Sequence, residues 1–254
     1  MKKIALITGA TAGIGEATAR LLARHDYDLI LTGRRRERLE RLKKELEEQT
    51  SARVHILHFD IRDRKAVEEA IDTLPEEWRK IDVLVNNAGL AAGLAPIHEG
   101  DVEDWEQMID TNVKGLLYIS RKVLPGMAAR RSGHVINLSS IAGKEVYANG
   151  NVYCASKFAV DALNKGMRID LLAHGVKVTS VNPGAVETEF SLVRFKGDEE
   201  KARNVYKGME PLRAEDIAEV ILFALSRPDH VNINEIIVMP KAQASAFYLH
   251  REEG

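Results

Sequence analysis

The sequence predicts an α/β protein built on a doubly wound parallel sheet of about seven strands, with helices on both faces. Short runs rich in Val, Ile and Leu alternate with longer amphipathic segments along the 254 residues. The short runs are almost continuously apolar, which is typical of strands covered on both sides. Strands that alternate with helices favour a parallel sheet with right-handed crossovers. No linker rich in Pro, Gly or Ser divides the chain, so we expect one domain over residues 1–254.

The predicted strands cover 3–8, 28–32, 53–59, 82–86, 133–139, 176–182 and 235–238. The predicted helices lie between them at 14–24, 37–49, 64–73, 102–127, 152–173 and 214–226. Segment 187–211 is polar and poorly periodic, and a loop of that length is usually a lid or a binding segment. The helices at 102–127 and 152–173 carry surplus apolar residues, which a second subunit or other parts of the same chain would cover. The tail 241–254 is expected either to fold over a neighbouring subunit or to fray.

Composition argues against several classes of partner. The formal net charge is −2, so nothing favours a nucleic-acid partner, and no apolar run approaches the ~20 residues of a membrane span. The apolar run at the N-terminus stops at Thr8-Gly9, too soon for a signal peptide. The single cysteine, Cys154, points to a small buried residue in a reducing compartment. We therefore expect a cytoplasmic protein, and the scattered histidines predict no metal site.

Tyr153 and Lys157 lie four residues apart in a predicted helix, so their side chains share one face. An ammonium beside a phenol stabilises the phenolate and is expected to lower the tyrosine pKa. Such a tyrosine could give or take a proton near neutral pH. The pair alone is common and is usually structural, so its context decides its meaning.

A glycine-rich turn follows the first predicted strand and opens the first helix. It reads Thr8-Gly9-Ala10-Thr11-Ala12-Gly13-Ile14-Gly15, which is Gly-x-x-x-Gly-x-Gly. Glycines allow the backbone to approach a phosphate closely, and the helix N-terminus offers free N–H groups. We predict a nucleotide site that uses Gly9, Thr11, Gly13, Ile14 and Gly15. A tight turn without a ligand is the alternative.

The end of the second predicted strand favours NADP over NAD. NAD sites place an acidic residue there to bind the ribose 2′-hydroxyl, but this chain has Gly33-Arg34-Arg35-Arg36. Arginine can hold a 2′-phosphate through paired, charge-assisted hydrogen bonds. We predict Arg34, with Arg35 as a second candidate, as the phosphate clamp and Arg36 as a solvated helix start.

Further polar motifs fall where predicted strands end. Asp60 is placed to accept the adenine amino group while Ile61 packs on the ring, although a loop or helix-capping role for Asp60 is an alternative. Asn87, Ala88 and Gly89, in Asn86-Asn87-Ala88-Gly89, are expected to line the cofactor groove. Ligands of open parallel sheets bind outside the carboxyl ends of the strands, so these motifs converge on a Rossmann-type site.

Together these motifs resemble the short-chain dehydrogenase/reductase family over essentially the whole chain. The residues that carry the resemblance are Thr8-Gly9-x3-Gly13-x-Gly15, Asn86-Asn87-Ala88-Gly89, Asn112, Ser140, Tyr153-x3-Lys157 and Pro183-Gly184. The resemblance implies a catalytic tetrad of Asn112, Ser140, Tyr153 and Lys157. Ser139 is the alternative to Ser140.

The resemblance also implies roles for these residues. Tyr153 exchanges the proton of a substrate carbonyl or alcohol as hydride moves, and Ser140 hydrogen-bonds the same oxygen. Lys157 lowers the Tyr153 pKa and holds the nicotinamide ribose, while Asn112 pins a water. Read alone, Asn112 is equally a kink or a backbone-bonding residue of a long helix. The remaining implied contacts to the nicotinamide half of the cofactor are Tyr153, Pro183, Gly184, Val186, Thr188 and the backbone of Gly89.

The stretches 190–198 and 229–234 resemble one branch of that family, which contains NADP-dependent 3-hydroxy acid (serine and allo-threonine) dehydrogenases and malonic semialdehyde reductases. Arg194 in the lid would bind the substrate carboxylate, with a solvent-facing charge as the alternative. The resemblance implies a homotetramer acting on a small-molecule substrate. Reduction of a 3-oxoacyl thioester, sugar, pterin or other carbonyl remains an alternative, and a non-catalytic NADPH sensor is a third.

Overall fold

A computed structural model describes residues 2–252 and contains a seven-stranded, wholly parallel sheet. The strands are β1 (Lys3–Ile7), β2 (Tyr27–Gly33), β3 (Val54–His58), β4 (Ile81–Asn86), β5 (Gly133–Leu138), β6 (Val176–Pro183) and β7 (Glu235–Val238). Their order is β3-β2-β1-β4-β5-β6-β7. The strand order reverses between β1 and β4, and that switch point is where doubly wound folds bind ligands. The predicted sheet is confirmed.

Nine α-helices surround the sheet in the part of the chain that the structure describes. They are α1 (Gly13–Ala23), α2 (Arg36–Gln49), α3 (Arg64–Asp72), α4 (Val102–Ile109), α5 (Leu116–Arg130), α6 (Asn151–Leu171), α7 (Glu189–Arg194), α8 (Glu199–Asn204) and α9 (Ala214–Leu225). Short 3₁₀ turns occur at Glu76–Trp78, Ile141–Gly143 and Leu172–His174. None of these helices in residues 2–252 is long and apolar enough to cross a membrane.

Two apolar cores cover the two faces of the sheet. Along β1, Ala5 and Ile7 face the core formed with α1, α2 and α9, whereas Ile4 and Leu6 face the core formed with α3, α5 and α6. All four side chains are 5% exposed or less. Burying a Leu or Ile completely stabilises a fold by roughly 1.5–3 kcal/mol. This double burial explains why the strands lack the alternating polar residues of a half-exposed sheet.

The predicted helix 102–127 is wrong in one respect, because it is not a single regular helix. The helical segment continues to Arg130, but a π-helical turn over Asp110–Gly115 separates α4 from α5. A π turn inserts one extra residue per turn and is often found at functional sites. Here the inserted turn carries the predicted tetrad residue Asn112.

The prediction of a loop over 187–211 is only partly correct. The segment contains the two short helices α7 and α8, whose N-termini are capped by Thr188 and Asp198. Its ends meet in a parallel bridge between Val186 and Leu212. The segment is therefore a compact excursion from one point of the fold, as expected of a lid. We call residues 187–211 the lid.

The expectation of a frayed C-terminal tail is wrong for residues 241–252, whereas contact with a neighbouring subunit stays a prediction. The tail forms a small hairpin, with Gln243 bridged to Leu249, and folds on its own chain. The backbone N–H of Ala246 donates to Glu145 Oε2 (2.7 Å), and Arg251 donates to the lid carbonyl of Val205 (2.9 Å). The tail thus joins the lid to the loop that follows β5. We call residues 242–252 the C-terminal hairpin.

The surplus apolar residues of the long helices divide into two sets. Several are buried against the sheet or other helices, namely Met108, Leu116, Val160, Met167 and Leu171. Others remain on the surface of α5 and α6 or just beyond it, where Leu117, Phe158, Ile169 and Leu172 are 40–76% exposed. Residues 2–252 therefore leave the second set at least 40% exposed.

His134 on β5 is expected to make the fold sensitive to acid. Its ring Nε2 lies 2.8 Å from Thr179 Oγ1, and burial, followed by the charges of Lys177 and Lys3, lowers the pKa of His134 to about 3. The unfolded chain binds this proton below pH 6.5 but the folded chain does not, so stability falls as pH drops. The loss attributable to His134 between pH 7 and pH 5 is about 2 kcal/mol.

The test is urea denaturation of a His134→Gln variant at pH 7 and pH 5. Gln can still donate to Thr179, so the variant should lose the pH-dependent part of the destabilisation that His134 causes. The control is His230→Gln, because His230 is exposed. Equal acid sensitivity of both variants and the unsubstituted protein would contradict the role of His134.

Candidate active site

The glycine turn lies at the carboxyl end of β1, as the sequence predicts. Gly9 has a φ of +67°, a conformation that favours glycine. A Cβ on Gly15 would overlap the side-chain nitrogen of Asn87 and the carbonyl oxygen of Gly9. The turn and the following helix are therefore packed backbone to backbone, which leaves the N-terminus of α1 open towards the groove.

Asn87 fixes this turn to the end of β4. Its Nδ2 donates to the carbonyl oxygens of Thr8 (2.8 Å) and Gly9 (3.2 Å). In return, the backbone N–H groups of Asn87 and Ala88 donate to Thr8 Oγ1, both at 3.0 Å. The predicted turn 86–89 thus joins the two strands on either side of the switch point.

The three consecutive arginines have different surroundings. The Arg34 side chain is 54% exposed, and its nearest acidic partner is Asp60 at 3.9 Å. Arg35 instead donates from Nε and Nη2 to Thr11 Oγ1 at 3.1 and 2.9 Å. Arg36 pairs with Glu40 on the exposed face of α2, as predicted for a solvated helix start. Arg34 is thus the more available of the two predicted clamp residues.

Asp60 lines the groove but is held by its own neighbour. Its carboxylate accepts hydrogen bonds from the backbone and the guanidinium of Arg62. Partial burial opposes ionisation, yet bonding to Arg62 and the charge of Arg34 hold the pKa of Asp60 below its usual range. The capping alternative for Asp60 is wrong, because Asp63 caps α3. Ile61 is buried (8% exposed) at the groove wall.

Ser140, Tyr153 and Lys157 meet at the carboxyl ends of β5 and β6. Lys157 Nζ donates to the carbonyl of Leu138 (2.9 Å) and lies 5.9 Å from the Tyr153 ring centroid. Ser140 donates from Oγ to the carbonyl of Pro183 (3.4 Å) and accepts from a backbone N–H of its own turn. The neighbouring serine is directed into α6, because Ser139 Oγ donates to the Lys157 carbonyl. Both serines line the groove, but only Ser140 has a hydroxyl that is not directed into α6.

The expected lowering of the Tyr153 pKa by Lys157 is wrong for this arrangement. Burial, the largest cause, and the neighbouring Tyr147 raise the pKa of Tyr153, while the hydrogen bond with Ser140 and the charge of Arg194 partly oppose them. Burial also lowers the pKa of Lys157 to about 8. The ammonium is directed at the end of β5 rather than at the phenol oxygen, which explains why it does not dominate.

Asn112 is a backbone-bonding residue of the π turn. Its Nδ2 donates to the carbonyl of Leu90 and to Ser156 Oγ, and its Oδ1 accepts from the N–H of Leu90. These contacts hold the chain that follows Gly89 against α6. Asn112 itself is 2% exposed and lies behind the groove wall. Of the two interpretations made from the sequence, the structural one describes the side chain, and the water-binding one remains a prediction.

Arg194, at the end of α7, reaches the active-site tyrosines. Its guanidinium carbon lies 5.4 Å from the Tyr147 ring centroid and 5.7 Å from that of Tyr153. Nε donates to the carbonyl of Gly93 (3.3 Å), whereas Nη2 is buried without a hydrogen-bond partner. Buried donors are normally satisfied, so this nitrogen has an unused capacity to donate a hydrogen bond. The solvent-facing alternative for Arg194 is wrong.

The start of the lid completes the wall near the glycine turn. Thr188 accepts from the backbone N–H of Phe190 (3.2 Å), and a Cβ on Gly13 would lie 3.3 Å from the Thr188 side chain. Gln243 of the C-terminal hairpin accepts from the N–H of Ala185 (2.8 Å) and so supports the loop that begins with Pro183-Gly184.

Sequence reasoning missed three groups at this site. Tyr147 and Gln243 line the groove, and Glu189 binds two arginines of the second strand–helix unit. Glu189 directly follows Thr188, a predicted cofactor residue, and this adjacency could have indicated that Glu189 lies at the site. Nothing in the sequence placed the tail residue Gln243 beside the loop after β6.

The predicted residues form one continuous groove of about 640 Å³. Except for Gly15 and Asn112, every predicted catalytic, cofactor-binding or substrate residue lines it. Among residues 2–252, no group of three or more His, Cys, Asp or Glu side chains is placed to hold a metal ion. The groove runs from Arg34 past the glycine turn to Ser140 and Tyr153, which matches an extended ligand with a phosphate-bearing end.

A model of the short chain dehydrogenase family matches residues 3–198. This chain belongs to the short-chain dehydrogenases. It is 52% identical over 244 residues to the NADP-dependent 3-hydroxy acid dehydrogenase YdfG of Salmonella typhi, covering 96% of this chain and 97% of the relative. It is 47% identical to sulfoacetaldehyde reductase 2 of Chromohalobacter salexigens, covering 99% of this chain and all of the relative.

Solved structures agree with this membership. The closed form of serine dehydrogenase complexed with NADP⁺ superposes on this short-chain dehydrogenase with a TM-score of 0.92 and 49% identity. The match covers 98% of this chain and 100% of that structure's chain. The sequence-based expectation of the short-chain dehydrogenase/reductase family is confirmed.

Proposed function

We propose that this enzyme is an NADP-dependent oxidoreductase that transfers hydride between the nicotinamide and a small 3-hydroxy acid or its carbonyl counterpart. The observation that carries the proposal is the buried, unpartnered Nη2 of Arg194 beside the Tyr153 ring. It places a cation for a substrate carboxylate next to a residue that can move a proton. The names of the YdfG and serine dehydrogenase relatives support the same substrate class and cofactor.

The residues of the groove fit NADP. The open N-terminus of α1 and the close-packed turn at Gly9 and Gly15 suit a pyrophosphate. Arg34, exposed at the end of β2 with no acidic residue of the NAD type beside it in sequence, would hold the 2′-phosphate. Lys157 would hold the nicotinamide ribose, and Thr188 the carboxamide. When bound, NADP supplies or accepts the hydride.

The protein groups then handle the substrate oxygen. Tyr153 donates its phenol proton to a carbonyl oxygen in reduction. In oxidation the same oxygen must first lose its proton, and as the phenolate it then accepts the proton of the alcohol. Ser140 hydrogen-bonds the same oxygen and stabilises its developing charge. Lys157, with a pKa of about 8, is mostly protonated at neutral pH and would bind the ribose hydroxyls as a cation. Asn112 holds the Leu90 segment against α6, the helix that carries Tyr153 and Lys157.

The test is a turnover assay with NADP⁺ or NAD⁺ on L-serine, L-allo-threonine and 3-hydroxypropionate, beside a neutral secondary alcohol. NADP⁺ with at least one hydroxy acid should give the highest kcat/KM. Because one similar relative is named a sulfoacetaldehyde reductase, sulfoacetaldehyde with NADPH belongs in the same screen. Activity confined to neutral carbonyls would reject the acid specificity and favour the carbonyl-reductase alternative.

A separate variant tests the assignment of NADP as the cofactor. Arg34→Ala should raise KM for NADP⁺ by about 10-fold or more and leave KM for NAD⁺ nearly unchanged, because only NADP carries the 2′-phosphate. Arg36→Ala is the matched control, since Arg36 lies in the same run but pairs with Glu40 on the exposed face. Equal effects of Arg34→Ala on the two cofactors would remove Arg34 from the clamp.

We also propose a homotetramer and a cytoplasmic location. The uncovered apolar residues of α5 and α6, including Phe158, Ile169 and Leu172, suit a subunit interface. Sedimentation at a mass of four chains would support the tetramer, and a monomer would refute it. The single cysteine, Cys154, is buried and unpaired, as in proteins of reducing compartments.

A further inference from the structure

The start of the lid carries a carboxylate, Glu189, that forms ion pairs with two arginines near the end of the groove where a phosphate is expected. Glu189 is the first residue of α7. Its Oε2 accepts from Arg35 Nη1 at 2.8 Å and its Oε1 accepts from Arg38 Nη1 at 2.7 Å. These bonds join the lid to the first turns of α2, more than 150 residues away in the chain.

Glu189 and Thr11 together accept hydrogen bonds from all three nitrogens of the Arg35 guanidinium. Nε and Nη2 of Arg35 donate to Thr11 Oγ1, and Nη1 donates to Glu189. Arg38 Nη1 also lies 3.5 Å from the carbonyl oxygen of Thr11. The three charged side chains are 37–42% exposed, so solvent and ligands can reach them. Arg34 beside them has no such partner within 3 Å.

Glu189 is negatively charged at neutral pH. Partial burial is the largest influence on its carboxyl group and acts against ionisation. Hydrogen bonds from Arg35 and Arg38 outweigh that influence and hold the pKa of Glu189 below its ordinary value. A full negative charge therefore lies next to the residues expected to receive a phosphate.

We propose that Glu189 is a specificity-determining residue of the cofactor site, whose carboxylate shares Arg35 and Arg38 with the 2′-phosphate of NADP and weakens the hold on that phosphate. The inference rests on the proposed function, because it requires NADP to lie with its 2′-phosphate at Arg34. NAD carries a neutral 2′-hydroxyl at the same position, so Glu189 opposes only the phosphorylated cofactor. The arginines select NADP, and Glu189 limits how tightly they hold it.

Whether Glu189 competes with the 2′-phosphate depends on the position of the lid. The carboxylate reaches the arginines because α7 begins at the groove, with Thr188 against the glycine turn. The lid also docks at the C-terminal end of α7, where the Gly93 N–H donates to the Arg194 carbonyl (3.0 Å). The lid that brings Arg194 to the substrate therefore also brings a competing anion to the phosphate site.

The experiment compares Glu189→Gln with Glu187→Gln by titrating NADPH and NADH against nicotinamide fluorescence. Glu187 is two residues away, exposed, and forms none of the ion pairs among residues 2–252. Glu189→Gln should tighten NADPH binding by about three- to tenfold and leave NADH binding unchanged, as expected for removing one screened charge near a phosphate. Glu187→Gln should change neither dissociation constant.

A second measurement tests the shared arginines. In an Arg35→Met, Arg38→Met background, Glu189→Gln should tighten NADPH binding by less than it does when both arginines are present. Only the direct charge repulsion then remains, because the shared partners are gone. Unchanged or weaker NADPH binding by Glu189→Gln, or an equal gain for NADH, would overturn the proposal. Failure of the proposed function is distinguishable, because the unsubstituted enzyme would then bind NADH as well as or better than NADPH.

Discussion

Tyr153→Phe is expected to lower kcat by about 10²- to 10⁴-fold with the preferred hydroxy acid while NADPH still binds. The phenylalanine ring keeps the edge-on contact with Phe190, whose ring centroid lies 5.7 Å away. It also keeps the aromatic face towards Arg194. Only the hydroxyl beside Ser140 is lost, so the loss reports proton transfer rather than packing.

The measurement is steady-state turnover in both directions, together with NADPH titration and thermal unfolding. Tyr248→Phe serves as the control, because Tyr248 is 70% exposed on the C-terminal hairpin. Substantial turnover by Tyr153→Phe with intact NADPH binding would show that another group moves the proton. Loss of NADPH binding together with turnover would point to a collapsed groove instead.

Arg194→Met is expected to lower kcat/KM for a 3-hydroxy acid by about 10²-fold or more, since removing one partner of a buried charge pair costs roughly 2–5 kcal/mol. Methionine is of similar length and can still cover Tyr147 and Tyr153, so the lid should keep its packing. The effect on a neutral alcohol or ketone should be within about threefold, because no anion is then bound.

Arg203→Met is the matched control, because Arg203 lies on α8 of the same lid and its side chain is 74% exposed. It should leave both substrate classes unaffected. If Arg194→Met impairs neutral and acidic substrates equally, Arg194 contributes to lid packing and not to anion recognition. If it impairs neither, the buried Nη2 does not receive the substrate carboxylate.

The elements that were predicted well from the sequence are those whose position follows from a single physical requirement. Strands buried on both faces need continuous apolar runs, so β1, at Lys3–Ile7 against a predicted 3–8, was found within one residue. The site residues at strand ends were predictable for a related reason. In a parallel sheet all carboxyl ends face one edge, so motifs far apart in sequence had to meet there.

The elements that sequence missed depend on contacts between distant segments. The π turn at Asp110–Gly115 contains mostly weak helix formers, but such residues do not distinguish a π turn from an α turn or a helix end. The Asn112 side chain in this turn bonds across to Leu90 and Ser156, contacts that local sequence does not report. The lid helices α7 and α8 have six residues each, too short for a periodic signal. Their caps, Thr188 and Asp198, were visible in the sequence but not distinctive.

Predictions of pKa values and charge partners were less accurate than predictions of where residues lie. The four-residue spacing correctly placed Tyr153 and Lys157 on one face of α6, but burial of both groups decides their proton affinities. Likewise the run of three arginines predicted a phosphate clamp without indicating that Arg35 already has partners in Thr11 and Glu189. Burial and competing partners are properties of the folded chain, which local sequence does not report.

The C-terminal hairpin has a practical consequence for handling the protein. Because Ala246 and Arg251 bind the loop after β5 and the lid, proteolysis within residues 242–252 would remove contacts that support the wall of the catalytic groove. Preparations intended for kinetics are therefore best checked by mass spectrometry for an intact C-terminal hairpin.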